Sequence, residues 1–317
     1  SDLKKRNAEG KSMNSRQLQY VVTLAEEKNF TKAAKRLIIA QPSLSQYISK
    51  LENELGHTLF DRTTTPLRLT VAGELYVEMA RRILDMEAQT EKCFNDMQNN
   101  QYGRLIIGAA PHRSRCVLAG RIPRLLEKYP NYSIVLREYP YYQMMKSLDN
   151  GDMDLCIATA PFDDVKYVVE EIMEEEILLA VPREHPVNQH LTILSEPDGN
   201  SPYAAVDIAE FRDMLFLTVN EGNGMYDITF DLCWEAGFRP RKTIECGSFD
   251  VCRDLVEAGV GVTLLLSSIA EYGENQRGLQ CYRLVQAPPP RKIAAIYRKK
   301  HYVPNAVQDL IEILKEN

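Results

Sequence analysis

The segment from Asn29 to Thr70 constrains the fold of this chain more than any other part of the sequence. Pro42 has no backbone N–H and fits the first turn of a helix, so a helix has to begin near Gln41. Before it, residues 31–37 place alanine and leucine on one side and basic residues on the other, at helical spacing. The segment therefore predicts two short helices joined by a tight turn.

The second of these helices has two different faces. A buried stripe is predicted for Leu44, Ile48, Leu51 and Leu55. The opposite face carries short hydroxyl, amide and lysine side chains, which suit hydrogen bonding to base edges and phosphates in a major groove. These side chains belong to Ser43, Ser45, Gln46, Ser49 and Lys50. Gly56 predicts the end of the helix, and residues 58–70 then predict a hairpin wing with Arg62 and Arg68 on its arms.

A further amphipathic helix, predicted from Asn14 to Glu27, completes a three-helix core ahead of the wing. A helix pair with a few lysines is by itself a weak signal, because many helix pairs share it. Basic residues are nevertheless concentrated here, although the whole chain has a net charge of −6. Between residues 29 and 70, Lys32, Lys35, Arg36, Lys50, Arg62 and Arg68 face only Glu52, Glu54 and Asp61. This pattern favours binding to a phosphate backbone.

A segment without proline follows, from Val71 to about Gln98. Apolar or small residues recur in it at alternating spacings of four and three, namely Leu75, Met79, Ile83, Met86, Thr90, Cys93 and Met97. Such a helix would extend about 42 Å, too far to pack flat on a small DNA-binding domain. The alternative, a core helix of one globular domain, is disfavoured by its polar flanking residues. We therefore predict a linker helix over residues 71–100 that pairs with a second chain.

The sequence pattern changes after the polar cluster at residues 99–103, which predicts a hinge. Short apolar runs then alternate with amphipathic stretches, which is typical of parallel sheets covered by helices. Strands are predicted at 105–109, 134–138, 155–159, 177–181, 215–219, 243–246, 262–266 and 293–297. Helices are predicted at 115–128, 142–150, 227–236, 249–258 and 305–316.

Several motifs of the first seventy residues resemble one known family. The AA pair at 33–34, QPSLS at 41–45, LENELG at 51–56, LF.R at 59–62 and LT.AG at 69–73 are similar to the N-terminal winged helix-turn-helix of the LysR-type transcriptional regulators. The resemblance implies that a major-groove face is formed by Gln41, Pro42, Ser43, Ser45 and Gln46. It also implies that Thr31 and Lys32 approach phosphate and that Arg62 and Arg68 support the wing. Ala40 departs from the family pattern, which usually has a serine or threonine cap there.

Weaker similarity extends over the rest of the chain, through GRLIIGAAP, NGDMDLCIA, EILLAVPREHP and LVEAGVGVTLL. It implies an α/β fold class with a two-lobed, periplasmic-binding-protein-like effector domain at residues 104–317. Lobe I would comprise about residues 104–178 and 282–317, and lobe II about residues 179–281, with the chain crossing between them near residues 176–180 and 280–284. The winged helix-turn-helix would occupy residues 13–70, and residues 1–12 would be a disordered extension or a cloning remnant.

Ligands of such sheets bind at the carboxyl ends of strands. Pro111, His112, Arg113 and Ser114 follow the first strand at a helix N-terminus, where free N–H groups favour an anion such as a small carboxylate. The resemblance implies that these residues bind an effector together with Tyr141, Thr159, Asn220, Gly222, Asn223, Ser248 and Phe249. Each of them, taken singly, also fits a helix cap or an ordinary loop position.

Composition excludes several classes of protein. No apolar run reaches the roughly eighteen residues that a membrane span needs. No hydrophobic leader opens the sequence, so we expect a cytoplasmic protein. The seven cysteines include no CxxC pair and are expected to stay reduced, with Cys246 and Cys252 as a candidate oxidant-sensing pair. His185 and His190 are interpreted as surface histidines, so no metal or other cofactor is expected.

Two other functions use the same two-lobed fold. A solute-binding protein would have no use for residues 13–98, and an enzyme would need a catalytic or cofactor motif, of which the sequence has none that we recognise. We therefore predict a regulator, not an enzyme, that binds double-stranded promoter DNA and a small-molecule effector. It is expected to form a homodimer through the linker helix, and the family resemblance implies a homotetramer. RNA polymerase is a further candidate partner.

Overall fold

A computed structural model of the chain describes residues 14–97, 102–199, 201–272, 278–299 and 301–316. The extension predicted at residues 1–12 and most of the predicted hinge, residues 99–101, lie outside the described residues. The described residues divide into two structural units. The first comprises those within residues 1–103, 146–153 and 300–304, and the second comprises the others.

Three helices form the core of the first unit, and each begins where its sequence predicts. They are α1 (Ser15–Glu27), α2 (Phe30–Leu37) and α3 (Gln41–Leu55). The side chains of Asn14 and Asn29 accept hydrogen bonds from the first backbone N–H groups of α1 and α2. Ala40 gives α3 no such cap, so Pro42 in its first turn is the main local signal for its start. Val21, Leu24, Leu44 and Ile48 are among the residues that close the core between the helices.

The wing and the linker helix complete this unit. The wing consists of β1 (Phe60–Asp61) and β2 (Arg68–Leu69), which pair antiparallel, and α4 (Val71–Met97) follows it directly. The Thr70 hydroxyl donates to the Thr58 carbonyl at 2.6 Å and accepts from the Gly73 N–H at 3.0 Å. A Cβ atom on Gly73 would lie 2.0 Å from the Leu59 carbonyl oxygen. The LT.AG motif therefore fixes the start of α4 against the wing.

The second unit contains the remaining strands and helices, except the C-terminal half of α7, which belongs to the first unit. Its strands are β3 (Gly103–Ala109), β4 (Tyr132–Glu138), β5 (Leu155–Thr159), β6 (Tyr167–Glu175), β7 (Ile177–Pro182), β8 (Ala205–Val206), β9 (Phe216–Val219), β10 (Thr243–Cys246), β11 (Val262–Leu266), β12 (Leu279–Leu284) and β13 (Arg291–Arg298). Its helices are α5 (Pro111–Arg113), which runs into a π-helical turn (Ser114–Leu118), α6 (Ile122–Lys128), α7 (Tyr141–Asp149), α8 (Gly224–Glu235), α9 (Phe249–Glu257), α10 (Ser267–Ala270) and α11 (Asn305–Lys315). The single helix predicted for residues 115–128 is wrong, because the chain turns between the π-helical segment and α6.

The strands form two sheets, one in each lobe. The first has the order β4–β3–β5–β13–β6 and the second the order β10–β9–β11–β7–β12–β8. Both sheets are mixed, since β13 runs antiparallel to β5 and β6, and β7 runs antiparallel to β11 and β12. The prediction of parallel sheets is therefore wrong for these strands, which carry the chain into and out of the second lobe.

The two crossings between lobes are sharper than predicted. The chain leaves the first sheet at Glu175 and enters the second at Ile177, and it returns through residues 285–290. The first crossing falls at residue 176, within the predicted range of 176–180, and the second directly follows the predicted range of 280–284, because β12 lies entirely in the second sheet. Glu175, at the end of a lobe I strand, therefore stands directly at the first crossing.

Candidate functional site

The predicted major-groove face of α3 is exposed along its length. Gln41, Pro42, Ser43, Gln46 and Lys50 are exposed, and Ser45 and Ser49 are partly exposed. Thr31 and Lys32 of α2, predicted to approach phosphate, are exposed as well. Six of these residues, Gln41, Pro42, Ser45, Gln46, Ser49 and Lys50, line one shallow groove together with Asn53 and Glu54. Asn53 was missed by the sequence prediction, although its helical spacing from Ser49 and Gln46 places it on the same face.

Arg62, which the family resemblance assigns to the support of the wing, has partners that the sequence does not reveal. Its guanidinium pairs with Glu52 at 2.9 Å, donates to the Ser49 hydroxyl at 3.0 Å and lies over the Phe30 ring. The other oxygen of the buried Glu52 carboxylate accepts the backbone N–H groups of Leu59 and Phe60, at 2.8 and 3.1 Å. Glu52 and Arg62 therefore hold the wing against the C-terminal half of α3.

Ion pairs reduce the exposed positive charge of the first unit. Arg36 pairs with Glu26 and Glu27, and its hydrogen bond to Glu27 raises its pKa. Lys32, Lys35 and Lys50 are exposed and make no ion pair with any residue that the structure describes. Arg68 is exposed on the wing. Two hydrogen bonds from Thr63 lower the pKa of Asp61, and the positive charge of Arg68 makes a smaller contribution in the same direction. The cations that remain available to phosphate are thus mainly lysines of α2 and α3 and the wing arginine.

The linker helix has one covered face and one uncovered apolar face. Ala80 packs with Leu18 and Val22 of α1. Most of the predicted seam lies on other faces of α4 and is exposed: Leu75 by 60%, Met79 by 39%, Ile83 by 38%, Met86 by 67% and Met97 by 72%. The Thr90 hydroxyl donates to the Met86 carbonyl at 2.8 Å, so its polar group is already satisfied within the helix. Phe94, which is 59% exposed, was missed in the prediction.

A buried charge cluster lies at the first crossing between the lobes. The Glu175 carboxylate is fully buried, and one of its oxygens accepts from both Arg113 at 3.0 Å and Arg291 at 3.3 Å. Its other oxygen accepts from the hydroxyl of Ser268, at the start of α10, at 3.0 Å. Glu175 therefore joins two arginines of lobe I to a serine of lobe II.

Most of the unpaired buried polar atoms belong to this cluster or to residues next to it in sequence. Among the residues that the structure describes, the buried side-chain atoms without a hydrogen-bond partner are His112 Nε2, Arg113 Nη1, Ser114 Oγ, Thr218 Oγ1 and Arg291 Nε. The His112 ring packs edge-on against Phe249 of lobe II, with ring centroids 5.3 Å apart. Burial, followed by the charges of Arg113 and Arg291, lowers the pKa of His112 to about 3. The imidazole is therefore neutral near pH 7.

Side chains, and not backbone N–H groups, supply most of the donors at residues 111–114. Pro111 has no N–H, and the N–H groups of Arg113 and Ser114 both donate to the Ala110 carbonyl, at 2.8 and 3.1 Å. The expectation of several free N–H groups at this helix start is therefore wrong for these three residues. Arg113 and Ser114, only 4% and 7% exposed, instead offer their buried side chains.

The other predicted effector residues have mainly local partners. The side chains of Asn223 and Ser248 cap the N-termini of α8 and α9. These two residues therefore have the helix-cap role that was the alternative to effector binding. The Tyr141 hydroxyl donates to the Pro161 carbonyl at 2.9 Å, and Thr159 ends β5 opposite Ile293. Asn220 and Gly222 lie in the exposed loop before α8. Thr218, Glu175 and Arg291 were missed, because they lie within strands and belong to no motif.

No group of histidine, cysteine, aspartate or glutamate residues among the described ones could hold a metal ion. The described part of the chain also contains no helix long and apolar enough to cross a membrane. His185 accepts a hydrogen bond from the Val187 N–H and caps a short 3₁₀ helix.

Comparison with known proteins matches both parts of the chain. Residues 15–74 match the bacterial regulatory helix-turn-helix of the lysR family, and residues 98–317 match the LysR substrate binding domain. The chain is 30% identical to the HTH-type transcriptional regulator YcgK of Bacillus subtilis, over 96% of this chain and 95% of the relative. It is 28% identical to the transcriptional dual regulator OxyR of Escherichia coli, over 96% and 95%.

Solved structures agree with these matches. A full-length OxyR variant from Pseudomonas aeruginosa has a TM-score of 0.70 at 25% identity, and the match covers 96% of this chain and 98% of that one. CbnR in complex with its target DNA has the same fold, with a TM-score of 0.62 at 22% identity, covering 96% and 99%. Both domains, in the same order and over almost the whole length, are thus accounted for. The chain therefore belongs to the LysR family, as a transcriptional regulator with a helix-turn-helix DNA-binding domain and an effector-binding domain.

Proposed function

We propose that this regulator reads double-stranded promoter DNA through the exposed face of α3 and that its affinity for DNA responds to a small molecule bound between its two lobes. The observation that carries the DNA-binding part is the groove lined by Gln41, Ser45, Gln46 and Ser49, with Lys50 beside them. These side chains present donors and acceptors to base edges, while Leu44 and Ile48 hold the helix from the opposite side.

The linker helix supports a dimeric reader. In a monomer the apolar stripe on α4 is exposed to water. Packing it against the same stripe of a second chain removes this apolar surface from water, which is favourable. Two recognition helices held in this way would bind a dyad-symmetric site. A tetramer formed by two such dimers, and contact with RNA polymerase at the promoter, extend this proposal.

We further propose that the effector binds at the crossing between the lobes. Buried polar groups are normally hydrogen-bonded, so the unpaired atoms of Arg113 and of its neighbours His112 and Ser114 support a polar ligand there. Because Glu175 bonds to lobe I arginines and to Ser268 of lobe II, a ligand on Arg113 would act directly on the contact between lobes. A small carboxylate fits the guanidinium donors.

Several relatives are named as hydrogen peroxide-inducible genes activators, among them proteins of Dickeya chrysanthemi and Haemophilus influenzae. Peroxide reacts with the thiolate form of cysteine, which a lowered pKa favours. In this chain, burial raises the pKa of Cys116 and Cys281 to about 11 and that of Cys156, Cys233 and Cys252 to about 12. Cys252 belongs to the predicted oxidant-sensing pair, so its burial argues against that role, and we favour a reversible ligand.

Gel shifts with the full chain test the DNA-binding proposal, using operator DNA selected from random sequence and a scrambled control. Gln46→Ala and Ser45→Ala should each reduce the preference for operator DNA by about 1–3 kcal/mol, through loss of a base contact. Lys32→Ala should weaken binding to both DNAs. It should also reduce the slope of the logarithm of the binding constant against the logarithm of the salt concentration by about one. Gln17→Ala, exposed on α1, is the control and should change neither. Unchanged discrimination in both the Gln46 and Ser45 variants would show that α3 is not the recognition helix.

A further inference from the structure

The charge cluster at the crossing between the lobes is unbalanced. Arg113 and Arg291 contribute two positive charges, and Glu175, bonded to both, contributes one negative charge. His112 adds none, because burial and the two guanidiniums hold its pKa at about 3. One positive charge is therefore left without a counter-charge inside this cluster.

Among the described residues, the nearby charges of Arg115, Asp250 and Glu176 have partners of their own and do not cancel this excess. Arg115 forms its own pair with Asp250, and both side chains are about two-fifths exposed, at 42% and 41%. The Glu176 carboxylate accepts from the Ser201 hydroxyl at 2.8 Å, on the lobe II side of the crossing. An unpaired charge in a buried position is costly, so the excess charge on Arg113 and Arg291 favours a further anion beside them.

Unused donors point to where that anion would bind. Arg113 is 4% exposed, yet its Nη1 has no partner among the described residues. The Ser114 hydroxyl, in the next residue and 7% exposed, is likewise unpaired within the described part of the chain. The Nε atom of Arg291, whose Nη2 shares the Glu175 oxygen with Arg113, is the third unused donor. These groups can bind one carboxylate by charge-assisted hydrogen bonds.

We infer that this site selects a ligand with a single negative charge and rejects dianions, with Glu175 acting as a built-in second counter-ion. This inference rests on the effector site proposed above and specifies the charge of its ligand. A monoanion makes the cluster neutral. A dianion would leave one negative charge buried and would place it near the Glu175 carboxylate, and like charges at close range oppose binding.

The inference also assigns Glu175 a role in specificity. Replacing it by glutamine keeps a side chain of the same shape but removes the negative charge, so the cluster would then carry two unbalanced positive charges. The glutamine variant should therefore prefer a dianion. Arg291 offers the opposite change, because its side chain is 28% exposed and its replacement disturbs the buried core less. Arg291→Gln removes the charge excess, and Arg291→Lys keeps it.

The test measures thermal unfolding of the full chain, followed by the fluorescence of its single tryptophan, Trp234. The probes are sodium formate, a monoanion, and sodium sulfate, a dianion, at matched ionic strength. General salt effects are removed by subtracting the response of Arg113→Met. We expect an Arg113-dependent rise in melting temperature with formate, corresponding to binding about tenfold tighter than that of sulfate. Glu175→Gln should reverse this order, Arg291→Gln should lose the formate response and Arg291→Lys should keep it.

Two results would overturn the inference. If sulfate bound the wild type as tightly as formate and its binding depended on Arg113, the site would not distinguish a monoanion from a dianion. The absence of any Arg113-dependent response to either anion would show that the excess charge attracts no ligand. Should Glu175→Gln fail to fold, the paired Arg291 variants still decide the outcome. The gel shift with Gln46→Ala is independent of these results, so failure of the charge inference leaves the DNA-binding proposal standing.

Discussion

The first unit and the second unit leave opposite kinds of surface unsatisfied. In the first, the buried carboxylate of Glu52 has its partners, but α4 exposes a regular stripe of apolar side chains. In the second, a large apolar core fills lobe II, but all the buried side-chain nitrogen and oxygen atoms without a partner among the described residues belong to this unit. Exposed apolar surface favours another protein surface, whereas buried unpaired polar atoms favour a small polar ligand.

This difference teaches which partner each part of a regulator needs. In our proposal the first unit pairs with a second chain through its linker helix, and the second unit binds a small ligand. The second unit has buried side-chain donors without a partner among the described residues, including those of Arg113 and Ser114. Both partners can then be tested separately, because the substitutions that remove one need not touch the other.

The largest effect is expected from charges placed in the stripe of α4. Each buried leucine, isoleucine or methionine contributes roughly 1.5–3 kcal/mol when a partner covers it. Four or five such residues per chain outweigh the several kcal/mol lost on association, so we expect a stable dimer. Ile83→Asp with Met86→Asp should yield monomers that no longer protect a dyad-symmetric site. Light scattering at micromolar concentration measures the mass.

The control for this experiment is Glu78→Asp with Glu87→Asp, on exposed polar positions of the same helix. This variant should remain dimeric. A wild-type protein that is monomeric at micromolar concentration would contradict the pairing of linker helices. The exposed apolar stripe of α4 would then have no demonstrated protein partner.

The second largest effect, on the stability of the wing, is expected for substitution of Glu52. It tests whether the Glu52 carboxylate holds the wing through its hydrogen bonds to backbone N–H groups. Glu52→Ala leaves the N–H groups of Leu59 and Phe60 unpaired in a buried position. The local stability of the wing should fall by about 2–4 kcal/mol, since each unpaired group costs about 1–3 kcal/mol. Hydrogen exchange of these two amides in the full chain measures the loss.

Glu52→Gln is the matched control for this prediction. It keeps an oxygen acceptor for the two N–H groups and loses only the ion pair with Arg62, which is 41% exposed. That pair should contribute about 1 kcal/mol or less, because solvent screens it. Equal exchange rates in the alanine and glutamine variants would mean that the carboxylate does not hold the wing through its hydrogen bonds.

The head could be predicted from sequence because its signals are local. Pro42 and Gly56 define both ends of α3, and Asn14 and Asn29 cap the helices before it, all within a few residues of their effect. The role of Arg62 was not predictable in this way. Its partner Glu52 lies on another element, and the pairing depends on how the wing packs.

The proposed effector site could be predicted from the sequence only in outline. His112, Arg113 and Ser114 follow a strand, so their position was accessible to sequence reasoning. Their partner Glu175 lies 62 residues from Arg113 and Arg291 lies 116 residues from Glu175, and neither separation leaves a pattern in the sequence. The strand that ends at Glu175 also contains other glutamates, so its sequence resembles an exposed polar segment. The central counter-ion therefore became visible only in three dimensions.

The smallest effect is expected from pH and tests whether the cluster of the second unit is truly shielded from water. In the folded chain the pKa of His112 is lowered from 6.5 to about 3. Below about pH 6.5 the unfolded chain therefore binds a proton that the folded chain does not. The free energy of unfolding should fall by about 1.4 kcal/mol for each pH unit as the pH falls from about 6.5 towards 3. Above pH 6.5, His112 should make no pH-dependent contribution to it.

His112→Gln removes this titration and keeps a polar side chain. The advantage of the wild type over the variant should therefore shrink by about 2 kcal/mol between pH 6.5 and 5, which follows from 1.4 kcal/mol per pH unit. Urea unfolding followed by Trp234 fluorescence reports on the second unit, and the window ends at pH 5 because carboxylates that titrate below it affect both proteins alike. Parallel pH profiles would place the folded His112 in contact with water. The unpaired Nε2 atom would then be solvated, and the contrast between the two units would rest on Arg113 and Ser114 alone.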